Sequence, residues 1–138
     1  MLSCEFSPVK PNVICTTGLD HSIKFWDIRR FDETPLNVIS NNSHWIWSAK
    51  YNKAYSRIMI TSSSSSQVRC IIFDNENEEI NTNSYSYTSV DYLEFDDAVY
   101  SLEWDYNDPW VFAAVSYNGL VHINIIPEDI KYNVMMDN

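Results

Sequence analysis

Glycine is almost missing, with two in 138 residues. Asn, Asp and Ser therefore have to fill the tight turns, since all three tolerate turn geometry. Basic residues are few as well: nine Lys and Arg face nineteen Asp and Glu, a net charge of −10. Holding a phosphate backbone takes clustered Lys and Arg. Here they are scattered, which excludes nucleic acid as the main ligand and makes an anionic membrane surface a poor partner. No apolar run approaches the ~20 residues that span a bilayer, so direct membrane insertion is not expected. The three cysteines, Cys4, Cys15 and Cys70, are an odd number without CxxC spacing. Each lies in or beside an apolar run, and together they read as buried, reduced thiols of a cytosolic protein. Met1-Leu2-Ser3-Cys4 leads straight into a strand-like segment, and no signal peptide is expected. There is no glycine-rich phosphate loop, and His21 and His122 have no second His or Cys at metal spacing. No cofactor or metal is expected.

What is present is apolar and aromatic: 45% and 14% of the residues, enough for a packed domain. A chain of this length forms one domain and buries roughly 68–70% of its unfolded surface. Short strand-like runs are predicted at 2–6, 12–17, 23–26 and 36–40. The order then repeats at 44–52, 57–61 and 67–73, with 84–90 as a fourth strand after an acidic loop at 75–83. It repeats again at 98–104, 110–115 and 120–126, and 130–136 reads as the outer strand of the third blade, with a short helix as the competing reading. Thr16 and Thr61, like Phe6 and Tyr51, hold corresponding places 45 residues apart; Trp104 follows Tyr51 by 53. The repeats fall at 1–40, 41–93 and 94–138. Ser62 to Ser66 reads as turn filler.

The turn Gly18-Leu19-Asp20-His21 separates two strand runs, and the second, Ile23-Lys24-Phe25-Trp26-Asp27, ends in Trp-Asp. That dipeptide and a period of about 40–45 residues are cues for WD-repeat blades of a β-propeller. The expected fold is all-β: about three four-stranded antiparallel blades in an open, partial propeller. In WD repeats a hydrogen-bond network often joins a His before the first strand, a Ser or Thr on the second, an Asp in the next turn and the Trp of the third. The first repeat offers Thr16, Asp20 and Trp26. The second offers His44 and Thr61, with Ser65 and Ile71 in place of the Asp and Trp; the third has Phe95, Ala114, Asn118 and Asn124. Thr16, Asp20 and His44 could pass for a nucleophile, orienter and base, but they read as structural, and no enzyme is expected. Trp45, Trp47, Trp104 and Trp110 read as blade core. Trp45 and Trp47 share a face of a regular strand, and exposed aromatics make good interface anchors. Trp26-Asp27-Ile28-Arg29 fits the WDxR pattern, in which Arg29 would meet a ubiquitin-ligase adaptor.

The segment IKFWDIRRFDETPLNVISNNSHWIWSAKYN, above all His44-Trp45-Ile46-Trp47 followed by Tyr51-Asn52, resembles the later repeats of the WD-repeat family that interacts with the EARP and GARP tethering complexes. The last repeat is similar too, at Val99-Tyr100, Trp104, Asp108-Pro109-Trp110, Ser116-Tyr117, Gly119, Ile123-Asn124 and Lys131-Tyr132. The resemblance implies blades of a seven-bladed propeller and an adaptor for tethering-complex subunits in retrograde recycling and dense-core vesicle formation. It implies a cytoplasmic protein, peripheral on endosomes and the trans-Golgi network. Arg29, Trp45, Trp47, Asp108 and Trp110 are the candidate interaction residues. A substrate receptor of a cullin-RING ubiquitin ligase, a general interaction module and a histone-chaperone-like scaffold are the alternatives. Because the match covers about three blades, a fragment of a longer protein is expected. Three blades cannot close a ring, and an open blade face marks assembly or aggregation.

Overall fold

Strand β3 (Ile23–Asp27) buries Ile23, Phe25 and Asp27 and half-buries Lys24 and Trp26, the two-residue period of a strand with both faces in use. It pairs antiparallel with β2 (Val13–Thr17), β2 pairs with β1 (Ser3–Phe6), and β4 (Asn37–Ile39) completes a four-stranded sheet in chain order. The computed structural model describes residues 1–30, 34–40, 44–74 and 86–136, with 92–94 as backbone alone. The expected acidic loop at 75–83 lies outside the described residues.

The second sheet repeats the order with β5 (Ile46–Tyr51), β6 (Ile58–Ser63), β7 (Gln67–Phe73) and β8 (Tyr87–Glu94). Its fourth strand runs later than the expected 84–90, because β7 pairs along its whole length, from Phe73 opposite Tyr87 to Gln67 opposite Glu94. The third sheet holds β9 (Val99–Trp104), β10 (Val111–Ser116) and β11 (Val121–Ile125). No fourth strand follows among the described residues; α1 (Glu128–Met136) takes that place. Of the two readings for this segment the helix is the one that forms. Pro127 precedes it and accepts the Lys131 N–H at 3.1 Å. Glu128 and Asp129 lie in the first turn, where the helix dipole favours acids. Ile130 and Val134, one turn apart, are buried in the apolar cluster shared by the second and third sheets.

The three sheets are built in one register. Cys15 opposite Phe25, Ile60 opposite Cys70 and Ala113 opposite Ile123 are the same pair in successive sheets. The described residues with positive φ fall on one equivalent position: His21 (62°), Ser66 (62°) and Gly119 (81°), each in the turn between the second and third strands. Left-handed backbone costs a non-glycine residue roughly 1–2 kcal/mol. Ser66→Gly is therefore expected to raise stability by up to about 1 kcal/mol, offset in part by glycine's freedom in the unfolded chain; urea melts of the two proteins test it.

Apolar residues fill the two spaces between sheets. Val13, Cys15, Ile23, Phe25 and Ile39 of the first sheet pack on Ile46, Tyr51, Met59, Ile71 and Phe73 of the second. Ile58, Ile60, Val68, Cys70 and Ile72, on the opposite face of the second sheet, pack on Val99, Leu102, Trp104, Phe112 and Ala114 of the third. The second sheet is thus covered on both sides, which explains the almost unbroken apolar run of β7. Polar bonds cross both spaces: Tyr51 N–H donates to Glu5 Oε2 (3.1 Å), Trp104 Nε1 donates to the Lys50 carbonyl (3.1 Å), and Lys50 pairs with Glu103 at 3.2 Å.

Candidate protein-interaction site

Two β-bulges build an aromatic strip across the second and third sheets. On β5 the pairing steps from Ile46 opposite Ser63 to Ser48 opposite Ser62, so Trp47 is the extra residue. On β9 it steps from Val99 opposite Ser116 to Ser101 opposite Val115, so Tyr100 is the extra residue. Trp47 and Tyr100 are 53 residues apart, as are Tyr51 and Trp104. A bulge re-aims its side chain, and here it brings the Trp47 and Tyr100 rings edge to face at 4.8 Å. Trp45 extends the strip at one end (6.0 Å from Trp47) and Tyr117 at the other (5.6 Å from Tyr100). Trp45 is 45% exposed and Tyr117 66%. The Trp45 carbonyl accepts the Ser64 N–H at 3.0 Å, which fixes that end. Trp47 Nε1 is buried and has no acceptor among the described residues. Such a donor costs about 1–3 kcal/mol while unpaired, so a partner that reaches it gains more than contact area. Each edge-to-face pair contributes roughly 0.5–1.5 kcal/mol beyond burial, which makes the strip a stiff surface.

The hydrogen-bond networks expected of the first two repeats are made in part. Trp26 Nε1 donates to Thr16 Oγ1 at 2.9 Å. Asp20 instead pairs with Lys24 at the surface, and that bond holds its carboxyl below the usual range. His44 and Thr61 line one small hollow. The Thr61 hydroxyl donates to the Arg69 carbonyl at 3.5 Å, because Ile71 in the tryptophan's place offers it no indole N–H. Thr16, Asp20 and His44 are thus not assembled as a catalytic set.

Arg29 points its guanidinium back at Asp27, Nη2 to Oδ2 at 2.6 Å and Nε to Oδ1 at 2.9 Å. With the Arg29 N–H, this lowers the Asp27 carboxyl to about 2. An adaptor that sought Arg29 would compete with this two-bond fork. Asp108 is exposed and Trp110 half-buried. Asp108 Oδ1 accepts the Trp110 N–H at 2.9 Å, and the Asp108 N–H is held by Asp105 Oδ2 at 2.9 Å. The Trp110 ring stacks on Tyr55 at 4.5 Å, with Lys131 Nζ 5.8 Å from its centre. The Trp110 ring thus serves the joint between the second and third sheets, while Asp108 lies exposed in the turn before it. Cys4 is exposed, against expectation, because Ser3 and Glu5 alternate with it and take the face toward the second sheet. Cys15 and Cys70 are buried, and burial pushes the Cys70 thiol up to about 12. Among the described residues no group of three His, Cys, Asp or Glu could hold a metal, and no helix is long and apolar enough to cross a membrane. Sequence reasoning missed Tyr100 and Tyr117 as site residues; the 53-residue offset from Trp47 was the signal that could have found Tyr100.

The model of the WD domain, G-beta repeat family matches residues 1–27 and 88–123. The chain is a WD40-repeat protein. It is 31% identical to EARP and GARP complex-interacting protein 1 of Rattus norvegicus, over 96% of this chain and 39% of the rat protein. The EARP-interacting protein homolog of Gekko japonicus is 29% identical over 96% of this chain and 40% of its own length. EARP-interacting protein 1 of Caenorhabditis elegans is 27% identical over 97% and 41%. The WD40 chain thus spans about two fifths of these relatives. Residues 28–87, outside the family match, include the sheet whose turn Asp and strand Trp are replaced by Ser65 and Ile71.

Proposed function

We infer that this chain is a non-catalytic WD40 scaffold that binds subunits of EARP- and GARP-type vesicle-tethering complexes. It acts as a cytoplasmic protein, peripheral on endosomes and the trans-Golgi network, in endosome-to-Golgi retrieval and recycling. The similarity across nearly the whole chain to proteins named for that interaction carries the reading. The exposed Trp45–Trp47–Tyr100–Tyr117 strip supplies the kind of surface that anchors a protein partner.

Pull-down from cell extract with the full chain tests this. The wild type is expected to recover tether subunits. The double variant Trp45→Ala/Tyr117→Ala should recover at least about tenfold less, as expected when interface anchors are truncated. Arg29→Ala should recover as much as the wild type. If tether subunits are absent from the wild-type sample, or a ubiquitin-ligase adaptor is bound in an Arg29-dependent way, the reading is wrong.

A further inference from the structure

The aromatic strip lies at one end of the strands, and that end is acidic. The connections 18–22, 44–45, 64–66, 95–98 and 117–120 all fall there. Asp20, Asp96 and Asp97 are their carboxylates, and they contain no Lys or Arg. Asp20 is paired with Lys24. Lys10, Arg29, Arg30, Lys53 and Arg57 lie in the connections at the opposite end. Asp97 stands beside the strip: its Oδ1 accepts the Ala98 N–H at 2.7 Å, and the Ala98 carbonyl accepts the Tyr117 N–H at 2.8 Å. Tyr100, two residues on, is the bulged residue of β9 and is 38% exposed. The Phe95 N–H donates to the Ser66 carbonyl at 2.7 Å, which ties the connection that carries both aspartates to the second sheet. Asp96 is exposed. The strip is centred on the joint between the second and third sheets, away from the outer faces of the first and the third.

We propose that the strip binds an arginine- or lysine-bearing segment of its protein partner, with the cations held over the aromatic rings and toward Asp96 and Asp97. The proposal names the chemistry of the partner at the surface assigned above, and it rests on that assignment. Rings that meet edge to face leave ring faces uncovered by a neighbour, and a cation is drawn to the face of an aromatic ring. The rings alone would serve any apolar segment. The two carboxylates select a basic one, because opposite charges across an interface attract and like charges are turned away. An acidic segment would meet Asp96, Asp97 and a chain whose net charge is −10.

Fluorescence anisotropy with the full chain and a labelled peptide of alternating arginine and leucine tests it. The wild type is expected to bind this peptide, and to bind its citrulline and glutamate counterparts at least about tenfold more weakly. Trp45→Ala/Tyr117→Ala should also lose about tenfold on the arginine peptide. Asp96→Asn/Asp97→Asn leaves an amide oxygen to accept the Ala98 N–H, so it should fold, as circular dichroism checks. It should bind about threefold more weakly or worse, with a flatter salt dependence. Glu128→Gln/Asp129→Asn removes two charges beyond the other end of β11 and should bind as the wild type does. Equal weakening in that control overturns the proposal, because net charge alone would then attract the peptide. So does equal binding of the citrulline peptide, or tighter binding of the glutamate one. The pull-down separates this proposal from the tethering reading. Loss of tether with Trp45→Ala/Tyr117→Ala but not with Asp96→Asn/Asp97→Asn overturns the basic segment and leaves the tethering reading standing. Absence of tether from the wild-type sample overturns that reading, and the peptide titration still decides the chemistry of the strip.

Discussion

Phe25→Ala is expected to lower the thermal midpoint by roughly 10–20 °C. Phe25 lies on the middle of β3 with 1% of its surface exposed. Its ring meets Phe73 of the second sheet edge to face at 5.9 Å, and Phe73 in turn leans on Tyr51 at 6.4 Å. Truncating a buried Phe costs about 3–5 kcal/mol in lost burial and residual cavity. The lost ring pair accounts for roughly 0.5–1.5 kcal/mol where it is counted separately. A small domain holds about 5–15 kcal/mol in all, so this single change removes a large part of it. Phe25→Leu keeps most of the apolar volume and should lose clearly less. The loss also has a place. The two apolar clusters lie on opposite sides of the second sheet, so hydrogen exchange in Phe25→Ala should speed up more in β2 and β3 than in β10. Equal acceleration in β10 would mean that the sheets open as one unit and not interface by interface.

The sequence carries this arrangement because register depends on alternation more than on residue identity. The second sheet lacks the Asp and Trp of a regular repeat, yet Ile60 and Cys70 pair as Cys15 and Phe25 do, since any apolar residue of suitable size serves the period of two. The same rule placed the strands of the third sheet, where Asn124 stands in the place of the third-strand Trp. Turn positions were legible in part. Ser66 takes a left-handed turn as a glycine-poor chain requires, and His21, the last residue of the expected Gly18–His21 turn, holds the equivalent place although it is not Asn, Asp or Ser.

What stayed hidden needed pairing across strands. A bulge is a count of two residues against one, and neither Trp47 nor Tyr100 signals it without the partner strand. The last segment hid its type for a related reason: Ile130 and Val134 suit one helix face, and nothing in their own spacing excludes a strand. Only the apolar cluster that takes them in and the acidic first turn decide. Trp110 shows the same limit: beside a polar turn whose Asp108 is exposed, its own ring is stacked on Tyr55, a contact visible only across strands.

Asn52 is the other position where one substitution should matter most, with Asn52→Ala expected to cost about 2–4 kcal/mol. Ser7, Asn52 and Asp105 close the first strand of each sheet, and each uses its side-chain oxygen to hold the turn that follows. Asn52 alone among the three is fully buried, at 1% exposure. Its Oδ1 accepts the Ala54 and Tyr55 N–H groups at 2.9 and 3.0 Å, and its Nδ2 donates to the Pro109 carbonyl at 2.5 Å. Alanine strands all three of those groups, and the joint to the third sheet goes with them, including the footing of the Tyr55–Trp110 stack. Asn52→Asp separates the two roles. It keeps the acceptor for the turn, as Asp105 does in the open, but faces a buried carboxylate toward the Pro109 carbonyl. At neutral pH it should therefore cost at least as much as alanine. The folded state would raise the pKa of that carboxyl, so the folded chain binds the proton better than the unfolded one. Urea melts of Asn52→Asp should thus regain stability, relative to Asn52→Ala, on moving from neutral to mildly acidic solution. A constant difference between the two would show that the turn, and not the bond to Pro109, is what Asn52 supplies.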